Sequence, residues 1–239
     1  MKRAQAGSKP RIAIHRPRPA GWKKIRRIRS IKYQAIFFDF DGVLVESAEI
    51  KSRAFRTLYA EHGEAVLKQA LAYHLAHEGI SRVDKILHCH RQLLGIELSE
   101  NELAELAKRY SSLVLEAVVA CDGVPGALDF LKSNSKKLPI FVVSGTPEAE
   151  LQDIIERRGM SGYFTSAHGS PRRKGPIVMD LLFEHSLNGP DCLFVGDAMT
   201  DYHGAEEAGL QFIGRVGHGE DNPFPGGTMI IPDLTGLSI

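Results

Sequence analysis

Two aspartates, Asp39 and Asp41, stand one residue apart where the apolar run Ala35-Ile36-Phe37-Phe38 stops, and Gly42 follows them. Residues i and i+2 of an extended chain face the same way, so both carboxylates can look toward one site. Gly42 lets the chain turn away sharply. Carboxylates this close repel unless a proton or a cation lies between them. A hard divalent ion such as Mg²⁺ prefers carboxylate and water oxygens and would answer that repulsion. One ionised acid can then attack as a nucleophile, and the other can carry a proton as general acid. The plainer reading is a strand-end turn bearing two solvated acids.

Three later stretches share this design. Ser144-Gly145-Thr146-Pro147 ends the run LPIFVVSG with a hydroxyl and exposed backbone N–H groups. Thr146 suits a helix N-cap and Pro147 the first helical position, and a helix N-terminus attracts phosphate. Lys174 lies in GSPRRKGPI, a loop punctuated by proline and glycine ahead of a helix. An ammonium there can pair with a phosphate and a carboxylate together. Gly196-Asp197 ends the apolar run DCLFVGD, and Asp201 follows four residues later. At the head of a helix that spacing can bring both acids to one site, Asp197 as a direct metal ligand and Asp201 orienting metal-bound water or the lysine. Taken singly, the three stretches also read as a helix start, a solvated basic loop and a pair of capping acids.

The elements that must position these residues follow from the apolar pattern. Short β-type runs occur at 31–40, 138–145, 162–169, 191–197, 210–216 and 228–232, with helical patterns at 125–133, 147–158, 175–187 and 201–208. Strands that are apolar throughout and alternate with helices indicate an α/β fold, a Rossmann-like parallel sheet flanked by helices. Ligands of such sheets gather at the carboxyl ends of the strands, where all four stretches fall. Residues 48–120 break the alternation with four helical patterns, the last opened by the capping box Ser99-Glu100-Asn101-Glu102. The expected organisation is an α/β core from 31–47 and 121–239, with an inserted α-helical cap at 48–120 hanging over the two acids.

Composition limits the possibilities further. A chain of 239 residues, 43% of them hydrophobic, can bury a sizeable core. No apolar run approaches the roughly 20 residues of a membrane-spanning helix. Cys89, Cys121 and Cys192 are scattered and odd in number, so they form no disulfide framework and fit a reducing cytoplasm. The near-zero net charge hides an asymmetry: residues 1–30 carry 11 of the 30 Lys and Arg residues and no Asp or Glu. This basic tail holds few large apolar side chains and reads as a disordered arm, or as residues ahead of the true start. A tether to nucleic acid or anionic lipid and an organellar transit peptide are the other readings. The pair His88/His90 makes a poor zinc chelate, because residues i and i+2 do not share a helix face.

Taken in order, the four motifs resemble the haloacid dehalogenase superfamily, in the branch with an α-helical cap that includes phosphoglycolate phosphatases and β-phosphoglucomutases. The likeness spans roughly residues 33–232. It implies that Asp39 is the nucleophile forming an aspartyl-phosphate and that Asp41 is the general acid and base. It implies that Ser144 and Gly145 bind phosphate and that Lys174 stabilises charge. Asp39, Asp197 and the backbone carbonyl of Asp41 would hold Mg²⁺, with Asp201 in support. Val43 and Glu46 depart from the family's usual threonine and aspartate. Dehalogenases of the superfamily lack the second acid and need no metal, so Asp41 and the Asp197/Asp201 pair favour phosphoryl transfer.

Gly79-Ile80-Ser81-Arg82 resembles the cap specificity loop of the phosphoglucomutase-like branch. Arg82 would there meet a second anionic group of the substrate; otherwise it is a surface charge at a helix start. The expected partner is a small phosphorylated metabolite, with no membrane and no nucleic acid except through the tail. Hydrolysis is the expected reaction. A β-phosphoglucomutase-like mutase is the alternative, and a non-catalytic binding protein a remoter one that the intact set Asp39, Asp41, Lys174 and Asp197 disfavours.

Overall fold

A computed structural model of the chain describes residues 33–239. The reading of residues 1–30 as a basic tail lies outside the described residues. Six strands, β1 (Ala35–Phe38), β2 (Ile140–Pro147), β3 (Ser166–Ser170), β4 (Cys192–Gly196), β5 (Gln211–Arg215) and β6 (Met229–Ile231), form one sheet in the order β3-β2-β1-β4-β5-β6. Every neighbouring pair is parallel. The α/β class and the parallel sheet are those expected from the sequence.

Alternation along the strands divides the core between the two faces of the sheet. Ala35 and Phe37 of β1 join Phe141, Val143, Phe194 and residues of α7 (Lys174–Glu184) and α8 (Met199–Glu207). The Phe37 ring lies 4.9 Å from that of Phe141 and 6.4 Å from that of Phe194. Ile36 and Phe38 face the other way, into a cluster with α5 (Ala127–Asn134) and α6 (Glu148–Arg157). Burial on both faces explains why these strands are apolar at every position.

Between β1 and β2 the chain forms α1 (Ala48–Tyr59), α2 (Glu64–Ala76), α3 (Arg82–Cys89) and α4 (Glu100–Ala120). Their apolar faces, through Phe55, Tyr59, Ile86 and Tyr110, continue the Ile36/Phe38 cluster. The Ser99–Glu102 capping box is present at the head of α4. The third helical pattern is shorter than expected: α3 stops at Cys89, a wider turn follows over His90–Leu94, and Gly95 closes it in the left-handed conformation. The expected strand at 162–169 also starts later, at Ser166, after a short 3₁₀ turn at Ser161–Tyr163. Among the described residues no helix is long and apolar enough to cross a membrane.

The register sets the level of the site. Phe38 pairs with Val142 on one side and with Val195 on the other. Asp39 and Asp197, just past the ends of β1 and β4, and Ser144 of β2 therefore lie at one end of the sheet. β1 and β4 are adjacent there, and the chain order reverses between them, which is where ligands of open α/β sheets bind.

Candidate active site

Asp39 is buried, 3% exposed. Its Oδ1 accepts the backbone N–H of Phe40 at 2.6 Å and its Oδ2 accepts Lys174 Nζ at 2.9 Å. Lys174 is the first residue of α7, and its ammonium also donates to Asp201 Oδ1 at 2.5 Å. Burial alone would lower the Lys174 pKa, but the charges of Asp201 and Asp39 reverse this and hold it above the ordinary lysine value. The second Asp201 oxygen accepts the backbone N–H of Ala198 at 3.0 Å. Asp201 thus accepts from the N-cap N–H of α8 and pairs with the lysine at once.

Asp39, Asp197 and Asp201 each offer a carboxylate oxygen within 4.8 Å of the others. Burial, followed by the charges of Asp39 and Asp201, raises the Asp197 carboxyl well above the usual range. The same two causes, burial and a neighbouring carboxylate, push Asp201 up to about 7 against the pull of Lys174. Three hard carboxylates share one ammonium, so two negative charges stay unanswered when all three are ionised. A divalent cation with oxygen preference fits that donor set and that charge. Gly42 permits the arrangement: its φ is +72°, and a Cβ there would stand 1.9 Å from Asp197 Oδ2.

Asp41 has a separate environment. Its carboxylate forms an ion pair with Lys51 on α1. It accepts Ser47 Oγ at 2.6 Å, Thr146 Oγ1 at 2.8 Å and Ser144 Oγ at 3.3 Å. Burial pushes this carboxyl up, but the Lys51 ammonium and the hydrogen bonds outweigh it and hold the pKa at about 2. The two acids line one cavity, yet a different lysine answers each. β1 ends at Phe38, and Asp41 already bridges to Val45, so the strict side-to-side rule no longer governs the pair. Asp41 lies outside the carboxylate cluster, leaving only its backbone for the metal role that the resemblance implies.

Thr146 departs from the expected helix cap. β2 runs on through Pro147, α6 begins at Glu148 with no side-chain cap, and the Thr146 hydroxyl is drawn to Asp41 instead. Ser144 lies beside it, its Oγ also accepting the Thr146 N–H at 3.1 Å. Gly145 faces the helical insertion so closely that a Cβ would stand 2.5 Å from the Gly79 carbonyl oxygen.

Arg82 lines the same cavity, but its charge is already answered. Its two terminal nitrogens donate to Glu150 of α6 at 2.7 and 2.5 Å, and one also donates to Ser111 at 2.5 Å. The guanidinium lies 4.8 Å from the centre of the Tyr110 ring. The arginine expected to await a second anion is instead a bolt between α3 and α6.

Sequence reasoning missed Lys51, Thr146 as a partner of Asp41, and the Lys85–His74 pair. The two lysines carried one readable signal. Lys51 sits beside the buried positions Ile50, Ala54 and Phe55 of α1, and Lys85 falls on the buried stripe Arg82, Lys85, Ile86, Cys89 of α3. A cation on the apolar stripe of an amphipathic helix has to face something polar.

Residues 33–209 match the sequence model of the haloacid dehalogenase-like hydrolases. The chain belongs to that family. Among relatives of this hydrolase, a phosphoglycolate phosphatase of Yersinia pestis is 27% identical over 193 residues, covering 77% of this chain and 82% of its own. A 5'-nucleotidase of Pseudomonas aeruginosa is 25% identical over 200 residues, covering 81% and 86%. Among solved structures, a β-phosphoglucomutase of Clostridium difficile superposes with a TM-score of 0.69 at 18% identity, covering 86% of this chain and 93% of the other. At that identity the likeness establishes the fold.

Proposed function

We propose that this hydrolase cleaves phosphoric monoesters of small metabolites, phosphoglycolate or sugar phosphates, with Mg²⁺ as cofactor and Asp39 as nucleophile. The observation that carries the reading is the Lys174 ammonium shared between Asp39 and Asp201 inside the carboxylate cluster. A carboxylate oxygen beside fixed positive charge is the arrangement phosphoryl transfer requires, and it supports this reading. The names of the curated relatives point the same way.

Asp39 would take the phosphoryl group, while Lys174 and the Ser144–Gly145 corner face its peripheral oxygens. Mg²⁺, held by Asp39 and Asp197 with Asp201 in support, would supply further charge neutralisation. Asp41 is ionised near neutral pH in the observed arrangement. A carboxylate held this low is a weak base, so taking the proton of the water that releases phosphate requires the Lys51 pair to loosen. Donating a proton to the leaving oxygen requires Lys51 to give up its pair with Asp41. The helices of residues 48–120 would act as the cap over this site.

A phosphate-release screen over small phosphorylated metabolites, with and without Mg²⁺, tests the proposal. Metal-dependent turnover that falls by about 10³-fold or more in Asp39→Asn is expected; full activity in that variant would refute the covalent scheme. Isomerised sugar phosphate from β-glucose 1-phosphate without free phosphate would favour the mutase alternative.

A further inference from the structure

Three cations line the insertion side of the cavity: Lys51, Arg82 and Lys85. Two are answered by carboxylates, Lys51 by Asp41 and Arg82 by Glu150. Lys85 is not. It is only 5% exposed, and among the described residues no carboxylate stands within ion-pair distance of it. Its Nζ donates to the Nδ1 and the backbone carbonyl of His74, each at 3.2 Å. The other ring nitrogen of His74 meets Ser52 Oγ at 3.3 Å, and the ring stacks on Phe55 at 4.7 Å.

This surrounding fixes the role of His74. A nitrogen that accepts from an ammonium must be unprotonated, so the proton belongs on the nitrogen facing Ser52. Burial, reinforced by the charges of Lys85 and Lys51, holds the His74 pKa at about 3. The imidazole thus aims the lysine without supplying any negative charge. Glu78 lines the same cavity and its charge is felt at Lys85, but among the described residues its carboxylate stands beyond ion-pair distance. A buried charge with no carboxylate in contact is costly, and here it lines the cavity where a ligand would lie. An anion entering that space relieves the cost.

We propose that Lys85 recognises a second anionic group, a carboxylate or a phosphate, on the ester presented to Asp39. The specificity role passes from Arg82, already bolted to Glu150, one turn along α3 to Lys85. The inference rests on the phosphatase reading above and narrows its substrates to esters with a second negative charge.

The test compares kcat and KM of wild type and Lys85→Met, with Mg²⁺, on three esters. Phosphoglycolate carries a carboxylate, a hexose bisphosphate carries a second phosphate, and β-glycerol phosphate carries only hydroxyls. A charge-assisted hydrogen bond of ordinary strength corresponds to about a 10- to 100-fold rise in KM. That rise is expected for a charged ester, with kcat little changed and β-glycerol phosphate unaffected. The charged ester with the larger rise identifies the second group. Equal losses on all three esters would overturn the inference and leave Lys85 a structural residue. A second comparison needs no variant: wild type should prefer the charged ester with the larger rise over its counterpart without the second charge, phosphoglycolate over its uncharged amide or the hexose bisphosphate over the hexose monophosphate, by about the same factor. Absence of that preference, with the esters still turned over, overturns the inference alone. No turnover of any ester overturns the phosphatase reading instead.

Discussion

Around Asp41, four donors from three parts of the chain converge: Lys51 of α1, Ser47 before it, and Ser144 and Thr146 of β2. Burial raises this carboxyl, and the Lys51 charge is the largest of the influences that lower it, ahead of the hydrogen bonds from Ser47 and Thr146. The sign follows. A carboxyl held at about 2 is ionised through neutral pH, and its stabilising contribution is lost only as pH falls from the ordinary value through 2. Lys51→Met should move the acid limb of the pH–rate profile upward by about 1–3 pH units. An unmoved limb would remove Lys51 from the account. At this scale the sequence was legible where spacing carried information, as at Asp39-Phe40-Asp41-Gly42 and Asp197…Asp201. Lys51 and Asp41 are ten residues apart with a turn between them, and no period links them. The Arg82–Glu150 contact joins an insertion helix to a core helix, so neither residue's surroundings could foretell the other.

Elements were easier to read than contacts because each element declares itself locally. The inner strands β1, β2 and β4 were visible as apolar runs since both faces of the sheet are covered there. α4 announced its start through Ser99 and Glu102, whose reciprocal hydrogen bonds are present: Ser99 N–H to Glu102 Oε2 at 2.8 Å and Glu102 N–H to Ser99 Oγ at 3.4 Å. Ser99→Ala should cost about 1 kcal/mol, a fall of about 2–4 °C in Tm for a domain of this size. Turnover should be unchanged, since the cap lies far along the chain from every site residue. A loss of activity without a loss of stability would show that α4 positions the site more directly than its packing implies. Element ends were less legible. β2 outran its expected end because Asp41 claims the Thr146 hydroxyl, a tertiary contact overriding a local capping preference.

For the whole molecule, the two connections into the helical insertion run side by side. Val45 bridges to Gly123, the Glu46 N–H donates to Asp122 O at 3.0 Å, and the Val124 N–H donates to Leu44 O at 3.1 Å. Glu46, one methylene longer than the family's usual aspartate, reaches Arg215 of β5 at 2.8 Å and ties this double connection to the sheet. On the far side of the cavity, Arg82–Glu150 and a hydrogen bond from Thr200 to the Glu78 carbonyl, 3.3 Å long, hold the insertion down. With all three carboxyls ionised the acidic cluster lacks two positive charges, so a divalent ion that binds only the folded chain should stabilise it. At a hundredfold excess over Kd the gain is about 2.7 kcal/mol. Tm should rise with added Mg²⁺, fall with chelator, and lose that response in Asp197→Asn. A Tm indifferent to Mg²⁺ would contradict the proposed metal site.

The proposed function requires the Asp39 carboxylate to become covalently phosphorylated during turnover. Rapid acid quenching of the enzyme during turnover of a small phosphate ester, followed by peptide mass analysis, tests it directly. The account predicts one phosphoryl group on the peptide containing Asp39, absent in Asp39→Asn and accumulating in Asp41→Asn. Turnover with no phosphorylated peptide, or with the label on another residue, would contradict it.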